Sequence, residues 1–265
     1  MTRLELPTGL GLEVDDLGQG RTLLFHPGFS QTREAWHPLT ARLLDDYRCV
    51  VFDPRGHGRS DKPLTSYSLA EMAGDVADLI DALDLNDVTL VAHSLGAAVA
   101  LTLVLKQPST VSRLVLLGPV APARGRRTDV EAGQNFPVER ETERLTSTWV
   151  DRQLENQSPG RFYARASAET ARWLAWKSLE MPVHVAARYY AQPRIDFRDQ
   201  LADLTLPCLV GWGSLDQVCD PSWASWFADN LGANWRVREF PGCGHGLMVD
   251  APDLIADAIR EFVPR

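Results

Sequence analysis

Short apolar runs rich in β-branched residues alternate along this 265-residue chain with helix-patterned segments, and that alternation constrains the fold more than any other feature. Runs that fit buried strands are Leu10–Val14, Thr22–His26, Arg48–Phe52, Val88–Ala92, Arg113–Leu117, Cys208–Trp212 and Trp235–Phe240. Strands joined through helices return in parallel, so the expected architecture is α/β, a mostly parallel sheet flanked by helices. Some helix ends are legible. Ser68 and Glu71 form a capping box ahead of Leu69, Met72, Val76, Leu79, Ile80 and Leu83, which share one face. A final helix carries Leu254, Ile255, Ala258, Ile259 and Phe262 on one side, with Asp250 expected to cap it. The fragment Gly9-Leu10-Gly11 lacks the third glycine of a dinucleotide fingerprint and reads as a hairpin turn.

Residues 120–203 break the pattern. Strand runs are missing there, helix formers dominate, and Trp149, Trp173 and Trp176 are included. The stretch reads as a helical cap inserted between two strands. That divides the chain into a core of 1–119 and 204–265 and a cap of 120–203. At roughly 150 residues per domain, the length suits one large domain carrying an insertion.

The balance of 27 basic against 35 acidic residues gives a net charge of −8. Nucleic acid and anionic membrane surfaces need a basic face, so neither is the expected partner. Met1–Leu10 lacks a charged stretch followed by an apolar run, and no secretory leader is read there. The longest mostly apolar stretch, Leu95–Leu105, falls short of the roughly 20 residues that span a bilayer. Cys49, Cys208, Cys219 and Cys243 form no C-x-x-C pair and no zinc spacing, which favours reduced thiols in a cytoplasmic protein. Cys219 and Cys243 each lie within three residues of a candidate catalytic residue, which leaves a bond between them open. With no H-E-x-x-H and no P-loop, neither a metal nor a cofactor is implied.

The chemistry is concentrated in Val88-Thr-Leu-Val-Ala92-His93-Ser94-Leu95-Gly96, followed by Ala97-Ala-Val-Ala-Leu101. A buried strand runs into a serine and straight on into an apolar helix. Small residues on either side let the two backbones approach closely. A serine at a helix N-terminus faces free amides and the positive end of the dipole. Its hydroxyl still needs a base oriented by a third group. His245 lies in Pro241-Gly-Cys-Gly-His245-Gly, between a strand and the last helix. Asp216 ends Leu209-Val-Gly-Trp-Gly213-Ser-Leu-Asp216, and Asp220 is its alternative. Among the other histidines, His26 at a strand end is the rival base and His93 is expected to pack beside the serine. His57, in Arg55-Gly-His-Gly-Arg-Ser60, belongs to a tight structural loop, while His37 and His184 read as surface or helix residues.

The strand–Ser94–helix segment resembles the nucleophile elbow of the α/β-hydrolase superfamily, with Ala92 where glycine is usual. The order Ser94, Asp216, His245 is also that of the family. The resemblance runs from about residue 22 to the last helix and leaves the insertion unmatched. It implies Ser94 as nucleophile, Asp216 as triad acid, His245 as base and the Leu95 amide as one oxyanion donor. Counting back from Trp36 in Phe25-His26-Pro27-Gly28-Phe29-Ser30, Pro27 stands where the family has histidine, and it has no N–H to offer. The second donor is therefore assigned to Phe29, with Ser30 or Gly28 as fallback. Phe52-Asp-Pro-Arg-Gly-His-Gly-Arg-Ser60 matches the family's loop after the following strand. Serine at the elbow argues against haloalkane dehalogenases and epoxide hydrolases, which use aspartate there.

The function so implied is a capped serine hydrolase that cleaves a carboxylic ester or lactone through an acyl-enzyme. A small to medium, partly apolar substrate would meet Trp149, Trp173 and Trp176. Inward-facing Arg124, Arg126, Arg127, Arg161 and Arg165 would bring forward an anionic substrate, and with it an enol-lactonase or C–C hydrolase. A non-hydrolytic ligand receptor retaining the same residues is the alternative from another class.

Overall fold

The computed structural model describes residues 2–120, 137–192, 196–201, 203–219, 222–230 and 232–264. Strands β1 (Thr2–Glu5), β2 (Gly11–Leu17), β3 (Arg21–His26), β4 (Tyr47–Asp53), β5 (Thr89–His93), β6 (Arg113–Leu117), β7 (Cys208–Gly213) and β8 (Trp235–Phe240) form one sheet, in the order β1-β2-β4-β3-β5-β6-β7-β8. The pairs β1–β2 and β2–β4 are antiparallel, and from β4 onward every pair is parallel. The chain goes from β3 to β4 on one side and returns to β5 on the other. This makes the C-terminal ends of β3 and β5 the switch point, where open α/β sheets place their ligand crevices.

β1 carries no apolar run and has no counterpart among the strands read from the sequence. It is an edge strand, Thr-Arg-Leu-Glu, paired only with β2 and largely exposed, so it needs no buried face to declare it. Gly9 turns the chain between these two strands at φ +78°, with its N–H donating to the Leu6 carbonyl (2.8 Å), as the hairpin reading expects.

Helices α1 (His37–Thr40), α2 (Leu69–Ala82), α3 (Leu95–Lys106), α4 (Val138–Thr146), α5 (Trp149–Asn156), α6 (Ala168–Ser178), α7 (Val183–Tyr190), α8 (Arg198–Leu201), α9 (Ser222–Asn230), α10 (Leu247–Asp250) and α11 (Pro252–Phe262) complete the order. The period-2 alternation of the strands sorts the core into two layers. Leu24, Val50, Leu90 and Leu114 pack with α2 and α3, whereas Leu23, Phe25, Val51, Val91 and Val115 pack with Trp36, Leu39 and the Ile255/Ile259 face of α11. α3 is buried from Leu95 through Val104, a helix apolar all round because packing surrounds it. At the start of α2 the Glu71 N–H donates to Ser68 Oγ (3.2 Å), but the Ser68 N–H turns to Ser66 Oγ (3.1 Å). Only half the capping box forms.

Between β6 and β7 the described chain is helical, α4 to α8, and builds a small core of its own. Leu145, Trp149, Met181, Val185, Ala186 and Ala187 gather there around Tyr67, which comes from the loop before α2. All four cysteines are free and buried, so Cys219 and Cys243 do not pair. Among the described residues no helix is long and apolar enough to cross a membrane.

Asp250 does not cap the last helix. Its carboxylate accepts the amides of Gly244 (2.7 Å), Ala164 (2.8 Å), Arg165 (2.9 Å) and Ala166 (3.0 Å), while α11 begins at Pro252 without a side-chain cap. Pro252 has no N–H to satisfy, which lowers the demand for a cap. Four convergent amides make a far better nest for a buried anion. The result is a clamp joining residues 164–166 of the helical segment to the loop that carries His245. Asp250→Ala leaves those amides without an acceptor and is expected to cost on the order of 3 kcal/mol in urea unfolding, with Asp250→Asn costing less because one acceptor oxygen survives.

Candidate active site

Ser94 sits between β5 and α3 at φ +51° and ψ −115°, a backbone conformation that side-chain-bearing residues rarely hold. Its N–H donates to the Leu117 carbonyl at the end of β6 (3.0 Å), and its own carbonyl accepts the Ala97 N–H (3.0 Å). Gly96 permits the next close approach. A Cβ there would lie 2.6 Å from the His26 carbonyl oxygen and 2.7 Å from that of Pro27. Ala92, on the other side of the serine, is fully buried among the apolar side chains facing α3, where a methyl group is accommodated.

His245 and Asp216 meet in the same region with fully buried side chains. The Nδ1–H of His245 donates to Asp216 Oδ2 (2.8 Å), and Asp216 Oδ1 accepts the amides of Val218 (2.8 Å) and Cys219 (2.9 Å). In the neutral ring this fixes the tautomer and puts the lone pair on Nε2, which has no hydrogen-bond partner among the described residues. The ring is held between Phe162 (centroids 4.8 Å apart, edge-on) and His93 (4.6 Å). His93 Nε2–H donates to the His245 carbonyl (2.9 Å), tying the residue before the serine to the histidine itself. Gly118, next to the carbonyl that holds Ser94, has φ +49°, and a Cβ on it would sit 3.1 Å from His245 Nδ1. Burial opposes a charge on His245, but Cys219 and the Asp216 carboxylate outweigh it and hold the imidazole above its ordinary range.

The loop after β3 closes over the serine. A Cβ on Gly28 would lie 3.0 Å from Ser94 Cβ. The Gly28 N–H donates to Gln31 Oε1 (2.8 Å), and the Ser30 N–H, at φ +59°, donates to His57 Nε2 (3.2 Å). Both fallback amides are therefore engaged. Phe29 turns its ring to Tyr189 (4.9 Å), Tyr190 (5.2 Å) and Trp149 (6.3 Å). Ser30 Oγ–H donates to Gln153 Oε1 (2.6 Å) and accepts from Gln157 Nε2 (3.4 Å), while the Tyr163 hydroxyl donates to Gln157 Oε1 (3.1 Å). Gln31, Gln153, Gln157 and Tyr163 had no place in the sequence reading. Their signal is the helical spacing of Trp149, Gln153 and Gln157, which puts two amides on the buried stripe of one turn-by-turn face.

Of the tryptophans, Trp149 reaches Phe29 and donates its Nε1–H to the Met181 carbonyl (3.0 Å). Trp173 and Trp176 are exposed. α6 buries Ala171, Leu174, Ala175 and Ser178, and that periodicity turns both rings to the opposite face. Arg161 pairs with Glu155 (3.5 Å), and Arg165 donates to the Pro241 (2.8 Å) and Gly242 (3.1 Å) carbonyls. Arg124, Arg126, Arg127 and Asp220 lie outside the described residues. His26 is buried and pushed down to about 4 by that burial, with its Nδ1–H donating to the Pro27 carbonyl (2.8 Å) rather than to a carboxylate. His57 is likewise lowered to about 4 by burial, donating from Nδ1 to the Arg55 carbonyl (2.8 Å) while it accepts from Ser30.

A sheet with its serine at the switch point is how this class of hydrolytic fold presents a nucleophile. A model of the alpha/beta hydrolase family matches residues 23–258, and the chain belongs to that family. It is 30% identical over 255 residues to a non-heme chloroperoxidase of Streptomyces lividans, covering 92% of each chain. The esterase EaEST from Exiguobacterium antarcticum superposes with a TM-score of 0.84 at 28% identity, covering 100% of this chain and 99% of that one. Est816, described as an N-acyl homoserine lactone degrading enzyme, gives a TM-score of 0.79 at 27% identity over 99% of this chain and 100% of that one.

His26 and His57 also make a stability prediction. Both are about 4 in the fold against an ordinary 6.5, so between these values the unfolded chain binds protons that the folded chain refuses. Stability therefore falls as the pH drops through that window. Thermal melts followed by circular dichroism should show a falling midpoint from pH 7 to 4.5, and His57→Asn should make that slope shallower.

Proposed function

We propose that this hydrolase cleaves carboxylic esters or lactones by a serine mechanism. The observation that carries the reading is the Asp216–His245 hydrogen bond, which leaves Nε2 unclaimed at the sheet end where Ser94 is held at positive φ. Ser94 Oγ attacks the carbonyl carbon while His245 Nε2 takes its proton. The tetrahedral oxyanion is held by the N–H groups of Leu95, at the first position of α3, and of Phe29. With the Gly28 and Ser30 amides already donating elsewhere, Phe29 remains the donor from its loop. Each such donor contributes about 2.7–4 kcal/mol to the transition state. The intermediate collapses, the alcohol leaves with the proton from His245, and a water activated by the same nitrogen releases the acid.

Helices α4 to α8, between β6 and β7, act as the cap. Phe29, Trp149, Tyr189 and Tyr190 give it an aromatic contact with the oxyanion loop, which suits a small to medium substrate with apolar surface. The esterase and lactone-degrading relatives support that choice of bond. Arg161 and Arg165 hold their own chain, and the anionic-substrate alternative rests on Arg124, Arg126 and Arg127, which lie outside the described residues. The roles of Ser94, Asp216 and His245 need no cofactor, and four free buried thiols fit a reducing, cytoplasmic compartment.

Stoichiometric labelling by a fluorophosphonate, abolished in Ser94→Ala, is the expected result. A folded protein that takes no label would overturn the hydrolase mechanism and favour a binding role. Ser94→Ala and His245→Ala should each lower kcat on p-nitrophenyl esters by about 10⁴–10⁶, and Asp216→Asn by less. The base works only when neutral, so kcat/KM rises with pH along a limb above 6.5. Removing the carboxylate charge in Asp216→Asn should move that limb to lower pH while kcat falls, as read from the full pH profile.

A further inference from the structure

Asp216 and His245 share their pocket with a third donor. One oxygen of Asp216, one ring nitrogen of His245 and the sulfur of Cys219 all lie within 4.8 Å of one another, and all three residues are buried. No linear motif announces this, because His245 comes from 29 residues further along the chain. The fold gathers the set through the turn after β7. There the Cys219 amide is bound to Asp216 Oδ1 (2.9 Å) while Asp216 Oδ2 holds His245 (2.8 Å). The thiol makes a long contact to the Gly118 carbonyl (3.8 Å) and a side-chain interaction with the His245 imidazole, so it already faces the other donors.

The chemistry of these donors selects among cations. A thiolate, an imidazole and a carboxylate suit Zn²⁺ or Cd²⁺, whereas Mg²⁺ and Ca²⁺ take six or more oxygens. Bonds of about 2.0–2.3 Å in a tetrahedron place the donors about 3.3–3.8 Å apart. The Asp216–His245 separation would open by about half an ångström and Sγ would swing inward, movements that side-chain rotation supplies. Charge also balances. Carboxylate and thiolate together neutralise a divalent cation, which burial requires.

We propose that Asp216, Cys219 and His245 form an inhibitory site for a thiophilic divalent cation, with water in the fourth position. Binding releases the thiol proton of Cys219, the ring proton of His245 passes from Nδ1 to Nε2 through solvent so that the imidazole ligand stays neutral, and Asp216 exchanges its imidazole partner for the metal. The histidine loses its orientation and, with a cation on its ring, its basicity. The inhibition rests on the serine-hydrolase reading, whereas the binding stands without it.

Cobalt(II) separates the two. Titrated into the metal-free wild-type protein, it should give a thiolate-to-cobalt charge-transfer band in the near ultraviolet at one equivalent, displaced by Zn²⁺ and not by Mg²⁺ or Ca²⁺. The band should vanish in both Cys219→Ser and Cys219→Ala, each of which keeps Cys49, Cys208 and Cys243 as internal controls. Zn²⁺ should inhibit the wild-type enzyme reversibly, with EDTA restoring activity, and at least tenfold more weakly in either variant. No band in the wild type, a band that persists in a variant, or equal Zn²⁺ inhibition of all three proteins would overturn the site. A Cys219-dependent band in a protein whose hydrolysis survives Ser94→Ala would uphold the metal site and overturn the serine mechanism instead.

Discussion

The hydrogen bond from the Ser94 amide to the Leu117 carbonyl is the contact on which the site depends. A residue with a Cβ at φ +51° is strained, and strain persists only where the surroundings over-determine it. Here β5 and β6 fix the serine from below while α3, buried along ten residues, allows no sideways escape. Gly96 brings the first turn of that helix against the end of β3, within a distance that any larger residue would forbid. Sheet, helix and crossover loop therefore meet at a point set by backbone approach. Ser94, the candidate nucleophile, hangs from that point.

Around it lies a continuous set of buried polar contacts. His57 receives Ser30, Ser30 reaches Gln153 and Gln157, Tyr163 joins Gln157, and His93 links Gln31 to the His245 carbonyl. Partly satisfied polar groups inside a protein are costly, so each link restricts its neighbours. The loop after β3 is consequently tied to the helical segment above as well as to the sheet below.

Much of this architecture was legible because it is local. β6 and β8 span Arg113–Leu117 and Trp235–Phe240, as their apolar runs indicate, and Ser68 starts α2 as its side chain suggests. Ser94, Asp216 and His245 stand out through the strand or loop around each of them. What escaped was either unmarked or non-local. β1 hides because an exposed edge strand needs no apolar face. Asp250 looked like a helix cap from its place ahead of α11, yet three of its four partners sit more than eighty positions earlier, in a segment whose approach no local pattern reveals. Gln153 and Gln157 read as ordinary polar helix residues until Ser30 is brought to them. Trp173 and Trp176 face solvent because helical phase turns them from the buried side of α6, an orientation that their size alone does not reveal.

The Asp250 clamp carries a consequence for how such a molecule can diverge. One carboxylate latches residues 164–166 to the very loop that carries His245. An exchanged or lengthened insertion would retain the machinery beneath it only by presenting three successive N–H groups at the same spot. Change in the insertion is thus channelled to either side of residues 164–166, the three positions whose N–H groups have to stay where the carboxylate can accept them.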